Sequence, residues 1–416
     1  MTTSAAPTGS ATGRVANGPA IAMFGLLLLA YSVNAMDRMV FPVMLPEVSA
    51  EYGFSLDQSG LQSTIFALGM GITGIPAGIA LARFGRKALI VVGTAAFSVA
   101  TIMTIASAGF ADMLAWRVLS GVGEALQLAA IITVAAAAFP RHRGLAIGAV
   151  NMAFATGSVV GPLVAAALLV DHGTWRSPMI VFGAAGLVVT IAVMLCVSRR
   201  FTEVTAAPMQ AHHIGGARSV LRWNPMLLGV ITVLFGLVDF AYIGLYATYL
   251  REQLGFTPGQ AALAVSLSGL AAFASPLGGL LADRLDPRIC LGLLNLLTAA
   301  AAAALFLGPP SPGWQAAFSF LFGLFASSGV YVALAGLLVK SVHLDIVGHA
   351  SGVFITCIYV AAGLSGYLFS RIVNGVGWAG AGLVQIVGFS AVGALLAVFL
   401  RPALFSTTAH TGSEIS

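Results

Sequence analysis

The sequence predicts an all-α membrane protein of twelve spanning helices, arranged as two six-helix pseudo-symmetric halves. Three observations predict it. Of 416 residues, 59% are hydrophobic and only 8% charged, whereas soluble domains carry roughly a quarter charged residues. No soluble chain of this length has interior enough to hide so much apolar surface. Apolar runs close to the ~20 residues that a bilayer core demands recur along the whole length. The second half of the chain also repeats landmarks of the first.

Lipid offers backbone amides no partner, so spanning segments are helices or strands of closed barrels. These runs are too long and too continuously apolar for alternating barrel strands. The first set lies near 20–45, 59–82, 88–108, 113–138, 145–170 and 178–198. The second lies near 225–250, 259–282, 289–307, 314–338, 347–370 and 379–400. The domain organisation expected is a tail 1–19, a half 20–198, a polar linker 199–223, a half 224–400 and a tail 401–416. The first run, with Arg14 ahead of it and the small residues Val33 and Ala35 inside it, has some features of a secretory leader. Asp37 and Arg38 interrupt it, however, and it has a counterpart in the second half, so it is taken as the first span.

Positive charge orients such a chain. With the N-terminus inside, Arg14, Arg83, Arg86, Lys87, Arg141, Arg143, Arg199, Arg200, Arg218, Arg222, Arg284, Arg288, Lys340 and Arg401 all fall on the cytoplasmic side. That is fourteen of nineteen basic residues, which favours two cytoplasmic termini and an even span count. The remainder, Arg38, Arg117, Arg176, Arg251 and Arg371, lie within spans or at outer ends. The net charge of +5 therefore marks membrane orientation and not a nucleic-acid surface. Cys196, Cys290 and Cys357 sit in apolar runs without paired or metal-ligand spacing and are taken as packing residues. His212-His213 in the linker is a weak metal pair at most. No phosphate cradle, zinc spacing or nucleophile elbow is present, which excludes primary pumping and familiar enzyme chemistry.

The repeat is ordered. Gly53-Phe54-Ser55 and Gln58 recur as Gly255-Phe256-Thr257 and Gln260. Asp37 falls on Asp239, Gly121 on Gly323, and Gly78 and Arg83 on Gly279 and Arg284. Gly144-x-Ala146-x-Gly148 returns as Gly348-x-Ala350-x-Gly352. Two halves related by a parallel repeat are the geometry of a transporter that opens to alternate sides.

The loop after the second span, Gly78-x-x-x-Ala82-Arg83-Phe84-Gly85-Arg86-Lys87, resembles the signature loop of the major facilitator superfamily, and the resemblance covers essentially the whole chain. The family usually has an acid where Ala82 stands; the second half keeps one, Asp283, before Arg284. The resemblance implies a cytoplasmic gate formed by Gly78, Arg83, Gly85, Arg86, Asp283 and Arg284, although the basic residues also suit orientation alone. Arg117-x-x-x-Gly121-x-Gly123-Glu124-Ala125 resembles the family's fourth-span motif, and Phe139-Pro140 with Arg143-Gly144 its following loop. Gly157-x-x-x-Gly161-Pro162 partly resembles an antiporter motif but has Ala165-Ala166 in place of its closing glycines, and small residues four apart also serve close helix packing. Asp37-Arg38 together with the fourth-span motif loosely resembles organic-anion symporters and spinster-like carriers.

Charge at mid-bilayer costs ~2.5–3.5 kcal/mol on insertion scales, so such groups need a wet cavity or partners. Arg117 and Glu124 lie almost two turns apart on one helix face; Asn34, Asp37, Arg38 and Phe41 share a side of the first span. Asp239, Tyr242, Tyr246 and Tyr249 follow a helical rhythm in the seventh. In the family, spans one, four, seven and ten surround the central cavity, so these faces are expected to point inward. Arg38 and Arg117, with Tyr242, Tyr246, Tyr331 and Tyr359, are the expected substrate contacts, and Asp37, Glu124 and Asp239 the proton-exchanging acids. An alternative has Asp37-Arg38 as a structural pair and Arg117 snorkelling to the outer interface. The function expected is proton-coupled symport of a small carboxylate, without a cofactor, by a monomer in a bacterial inner membrane. Proton-driven export of drugs or amphiphiles is the alternative, and a non-transporting receptor a more distant one.

Overall fold

The structure, a computed structural model, describes residues 17–204 and 213–408. Arg14, His212 and the remaining parts of the expected tails and linker lie outside the described residues. Among the described residues, eleven continuous helices are long and apolar enough to cross a membrane. The last of these, Val347–Ala397, turns back at Gly377 (φ 74°, ψ 173°). It supplies two spans, 347–376 and 378–397, and completes the twelve.

In chain order, span 1 is Asn17–Tyr52, span 2 Leu56–Phe84, span 3 Arg86–Thr104, span 4 Phe110–Ala138, span 5 Arg143–His172 and span 6 Arg176–Cys196. Span 7 is Trp223–Gln253, span 8 Pro258–Arg284, span 9 Pro287–Leu307 and span 10 Pro312–Lys340. Spans 11 and 12 are the two limbs just described. Span 1 outruns its expected end at 45, passing Pro42 and Pro46 without breaking. Packed helices in a membrane re-satisfy the carbonyls that such prolines release.

The repeat reappears as local geometry. Gly53 (φ 65°) and Gly255 (φ 71°) turn the chain into spans 2 and 8. Each entry is then closed by the same capping box, Ser55 with Gln58 and Thr257 with Gln260. Within each half, small residues let backbones touch. A Cβ built on Gly121 would sit 1.8 Å from the Phe66 carbonyl oxygen, and one on Gly323 would sit 2.3 Å from that of Ser268. These equivalent glycines join span 4 to span 2 and span 10 to span 8.

The first and last described residues, 17 and 408, lie at one end of the bundle, called here the termini end. There linker residues 213–214 pair antiparallel with 407–408, and Asn224 donates to the Arg401 carbonyl at 2.8 Å. Cys290 is buried, Cys357 half-buried and Cys196 exposed, and none forms a disulfide.

Gly121→Ala is expected to cost about 1–3 kcal/mol through overpacking, read as a lowered melting midpoint of the detergent-solubilised protein. Gly148→Ala, where nothing lies within 4 Å of the added carbon, should leave that midpoint in place.

Candidate functional site

A cavity of about 180 Å3 lies between the halves. Arg38, Tyr31 and Phe154 line it from the first half; Asp239, Tyr331 and Tyr359 line it from the second. A second space of about 270 Å3 shares Tyr331 and Tyr359 with it. That space runs on toward the termini end past Ala77, Leu338 and Ser351.

Arg38 Nε donates to Glu124 Oε2 at 2.9 Å, and Arg38 Nη2 reaches Asn34 Oδ1 at 3.4 Å. Its Nη1 has no hydrogen-bond partner among the described residues, and its guanidinium lies over the rings of Phe154 (5.3 Å) and Phe66 (5.9 Å). Asn34 donates to Gln127 at 2.8 Å, and Gln127 donates to Thr94 at 2.7 Å. Asp37, next in sequence to Arg38, does not pair with it. It accepts from Thr101 at 2.6 Å and from Ser120 at 3.2 Å. Ser120 Oγ also lies 3.3 Å from Glu124 Oε1, so one hydroxyl stands between the two acids.

Arg117 does not snorkel. It is 1% exposed, and its guanidinium lies 4.4 Å from the Phe41 ring centre and 5.2 Å from that of Phe66. Its Nε and Nη2 have no hydrogen-bond partner among the described residues, and it is absent from the cavity wall.

In the second half, Asp239 accepts from Ser327 Oγ at 3.2 Å. Ser327 lies in a π-turn of span 10, Ala326–Val330, a widening that recurs at functional sites. Tyr242 and Asp239 reach the cavity. Tyr246 does not; its hydroxyl donates to Gln315 at 2.6 Å. Tyr249 packs against Trp378 with centroids 5.8 Å apart.

Of the expected substrate contacts, Arg38, Tyr242, Tyr331 and Tyr359 line the cavity, whereas Arg117 and Tyr246 are packed behind it. Of the expected proton-exchanging acids, Asp239 faces the cavity; Asp37 and Glu124 sit in the network behind Arg38. Sequence reasoning missed Tyr31, Asn151 and Phe154 on the wall. The three-and-four rhythm linking Tyr31, Asn34 and Arg38 was the available signal for the first. Nothing marked the other two.

The expected gate residues stand at the termini end and are held within their own halves. Gly85 (φ 82°) ends span 2. Arg86 donates through Nη1 to the Thr202 carbonyl at 3.0 Å, and Arg83 lies over Phe84 at 5.4 Å. Nothing lies near the side-chain position of Gly78, and Arg284 is exposed. Asp283 pairs with Lys340 at 2.6 Å. Glu203, from the linker, accepts from the backbone amides of Arg86 (3.1 Å) and Lys87 (3.0 Å). Partial burial opposes its ionisation, but the Lys87 and Arg86 amides outweigh that and hold its carboxyl below the usual glutamate range.

Polar contacts between the halves occur elsewhere. Ser266 Oγ donates to the Val159 carbonyl at 2.8 Å, and Thr64 Oγ1 donates to that of Gly363 at 3.1 Å. Beyond these, at the end opposite the termini, Arg251 pairs with Glu47 at 2.5 Å and Arg371 with Asp57 at 3.0 Å. At the termini end, the Arg86–Thr202 and Asp283–Lys340 contacts each stay on one side of the cleft.

The family model of the Major Facilitator Superfamily matches residues 27–236 and again 228–413. The chain belongs to the major facilitator superfamily. It is a multi-pass membrane transporter and not an enzyme. A superfamily relative described as a probable sulfoacetate transporter of Cupriavidus necator is 27% identical over 92% of this chain and 94% of its own. The cis,cis-muconate transport protein of Acinetobacter baylyi is 29% identical over 41% of each chain. Among solved structures, an inward-facing, unoccupied bacterial homologue of the human lysosomal transporter spinster superposes with a TM-score of 0.74 at 20% identity, covering 94% of this chain and 96% of that one. A D-xylose–proton symporter does so at 0.71 and 15%, covering 91% and 96%.

The two ion pairs at the far end hold this arrangement weakly, since partly exposed pairs contribute about 0–1 kcal/mol each. Removing either, by Glu47→Gln or Asp57→Asn, should raise the population open at that end by up to about fivefold. Labelling of a cysteine introduced there would report it.

Proposed function

We propose that this transporter carries a small organic anion together with protons, cycling between a state open at the termini end and one open at the far end. The observation that carries the proposal is Arg38: a guanidinium on the cavity wall whose counter-ion, Glu124, is titratable. A guanidinium grips a carboxylate or sulfonate through two parallel hydrogen bonds. An anion arriving at Arg38 competes with Glu124, and protonation of Glu124 removes the competitor. Binding of proton and anion thereby favour one another. Ser120 gives Glu124 a hydrogen-bonded route to Asp37.

The positive residues near the termini support a cytoplasmic position for that end, and the inner membrane of a bacterium is the setting proposed. The cavity would then face inward. Each half of the cavity belongs to the same chain, which supports action as a monomer. The gate proposed for the loops after spans 2 and 8 forms once the termini end closes and brings them together. Transport of anionic compounds by the sulfoacetate and muconate relatives supports the cargo class. The largely apolar walls of the second space, including Met70, Phe354 and Ile355, favour a second reading, export of amphiphiles.

Proteoliposomes given a panel of small carboxylates should show substrate-dependent proton influx, and Glu124→Gln should abolish it while exchange of bound substrate persists. Wild-type silence across the panel, from protein shown to be folded, would shift weight to export. Arg38→Lys should weaken substrate affinity about tenfold to a hundredfold, the worth of a charged hydrogen bond, in the same exchange assay. Asp37→Asn should end pH-driven accumulation; accumulation at the wild-type level would remove Asp37 from the proton route.

A further inference from the structure

Asp239 has a setting unlike that of the other buried acids. Asp37 and Glu124 share their surroundings with two guanidiniums. Asp239 is 7% exposed, and among the described residues no Lys, Arg or His lies within ion-pair distance of it. Its one hydrogen-bond donor is Ser327. Yet it faces the cavity, among Phe240, Tyr242, Tyr331 and Tyr359. Tyr359 meets Phe240 edge to face with centroids 6.0 Å apart, and Tyr242 and Tyr331 line the same cavity.

A carboxylate and a set of aromatic rings ask for the same thing of a ligand. Both attract a cation, the one by its charge and the others by their negative faces. The opposite wall asks for the reverse, because Arg38 and its unpartnered Nη1 attract an anion. The cavity wall therefore bears one positive and one negative side chain, each supplied by a different half. Arg117 adds no second anion subsite, since Phe41 and Phe66 cover it.

We infer that the cargo is a zwitterion, a small carboxylate or sulfonate bearing an ammonium group at its other end, with the anion on Arg38 and the ammonium on Asp239. This rests on the anion-binding role proposed for Arg38 and narrows it. A zwitterion supplies a counter-charge to both walls at once and draws the halves together across the cavity. A dianion of the same length would set its second charge against Asp239. A simple monoanion would leave that carboxylate without a counter-charge from the cargo.

Four probes of nearly one length separate these cases: 4-aminobutanoate, 4-hydroxybutanoate, pentanoate and glutarate. Each would be titrated against the purified full-length protein, with binding read from heat or from the rise in melting midpoint. The ammonium compound is expected to bind at least about tenfold more tightly than the other three. Asp239→Asn should erase that preference while pentanoate binding persists, which also reports that the variant is folded. If that variant does not fold, the wild-type ranking decides. Equal or tighter binding of pentanoate, 4-hydroxybutanoate or glutarate, still lost in Arg38→Lys, would overturn the zwitterion and leave the anion reading standing. If none of the four binds in a manner that depends on Arg38, both readings fall.

Discussion

The Arg38–Glu124 contact is the constraint around which the first half is built. It joins span 1 to span 4 at 2.9 Å with Glu124 wholly buried. Breaking such a pair by removing one partner typically costs ~3–5 kcal/mol, because the other charge is stranded. The surrounding groups follow from that cost. Asn34, Gln127 and Thr94 extend the network into span 3 and leave few polar atoms bare. Phe66 and Phe154 offer ring faces to the guanidinium where no further carboxylate is available. A pair expensive to separate, yet reachable from the cavity through Arg38, has two states that a proton and an anion can choose between.

Most of the fold was legible in the sequence because a bilayer leaves so few alternatives. Length and apolarity fixed the spans, and repeated glycines fixed the correspondence of halves. The pairs Gly53/Gly255 and Ser55/Thr257 are visible as letters and return as equal turns and caps. Span ends were less legible. Pro42 and Pro46 look like terminators in water, but in a packed bundle span 1 continues through them to Tyr52. The turn at Gly377 needs a single positive-φ residue and no polar loop, so composition gives little warning of it.

The site was legible in its charges and less so in its geometry. Rarity alone marks a buried charge, and Asp37, Arg38, Arg117, Glu124 and Asp239 were all found that way. Rarity does not say which neighbour a side chain chooses. Arg38 and Asp37 are adjacent in sequence, yet successive helical residues diverge by about 100°: Arg38 turns to Glu124 of span 4, and Asp37 to Thr101 of span 3 and Ser120 of span 4. Arg117 and Glu124 share a helix face, but Phe41 and Phe66 come between Arg117 and the cavity. Such interposition depends on tertiary packing that one helix cannot reveal. The Glu203 contact is of the same kind: the linker caps span 3, where the second half uses Asp286 to cap span 9 locally.

The interface between the halves has two chemistries, and their difference bears on how the cleft can move. Spans 2 and 11 meet through glycines; a Cβ on Gly60 would lie 2.3 Å from the Gly366 carbonyl oxygen. This contact needs close fit, contains few charges and can pivot without stranding any. The ion pair Glu47–Arg251 lies outside it, and Asp57–Arg371 joins the same two spans about one turn beyond Gly60; both stand at the far end, where water can replace each partner as they separate. The cost of opening there is consequently small, and that of opening through the glycine contact is not. A rocking motion about spans 2 and 11 follows from this ordering of costs. In the cycle proposed above, it would exchange weak far-end pairs for contacts between the loops after spans 2 and 8, while the buried Arg38–Glu124 pair travels within its own half. Only an event at the cavity, such as a proton on Glu124 or an anion on Arg38, changes that pair, so chemistry and motion meet at a single residue contact.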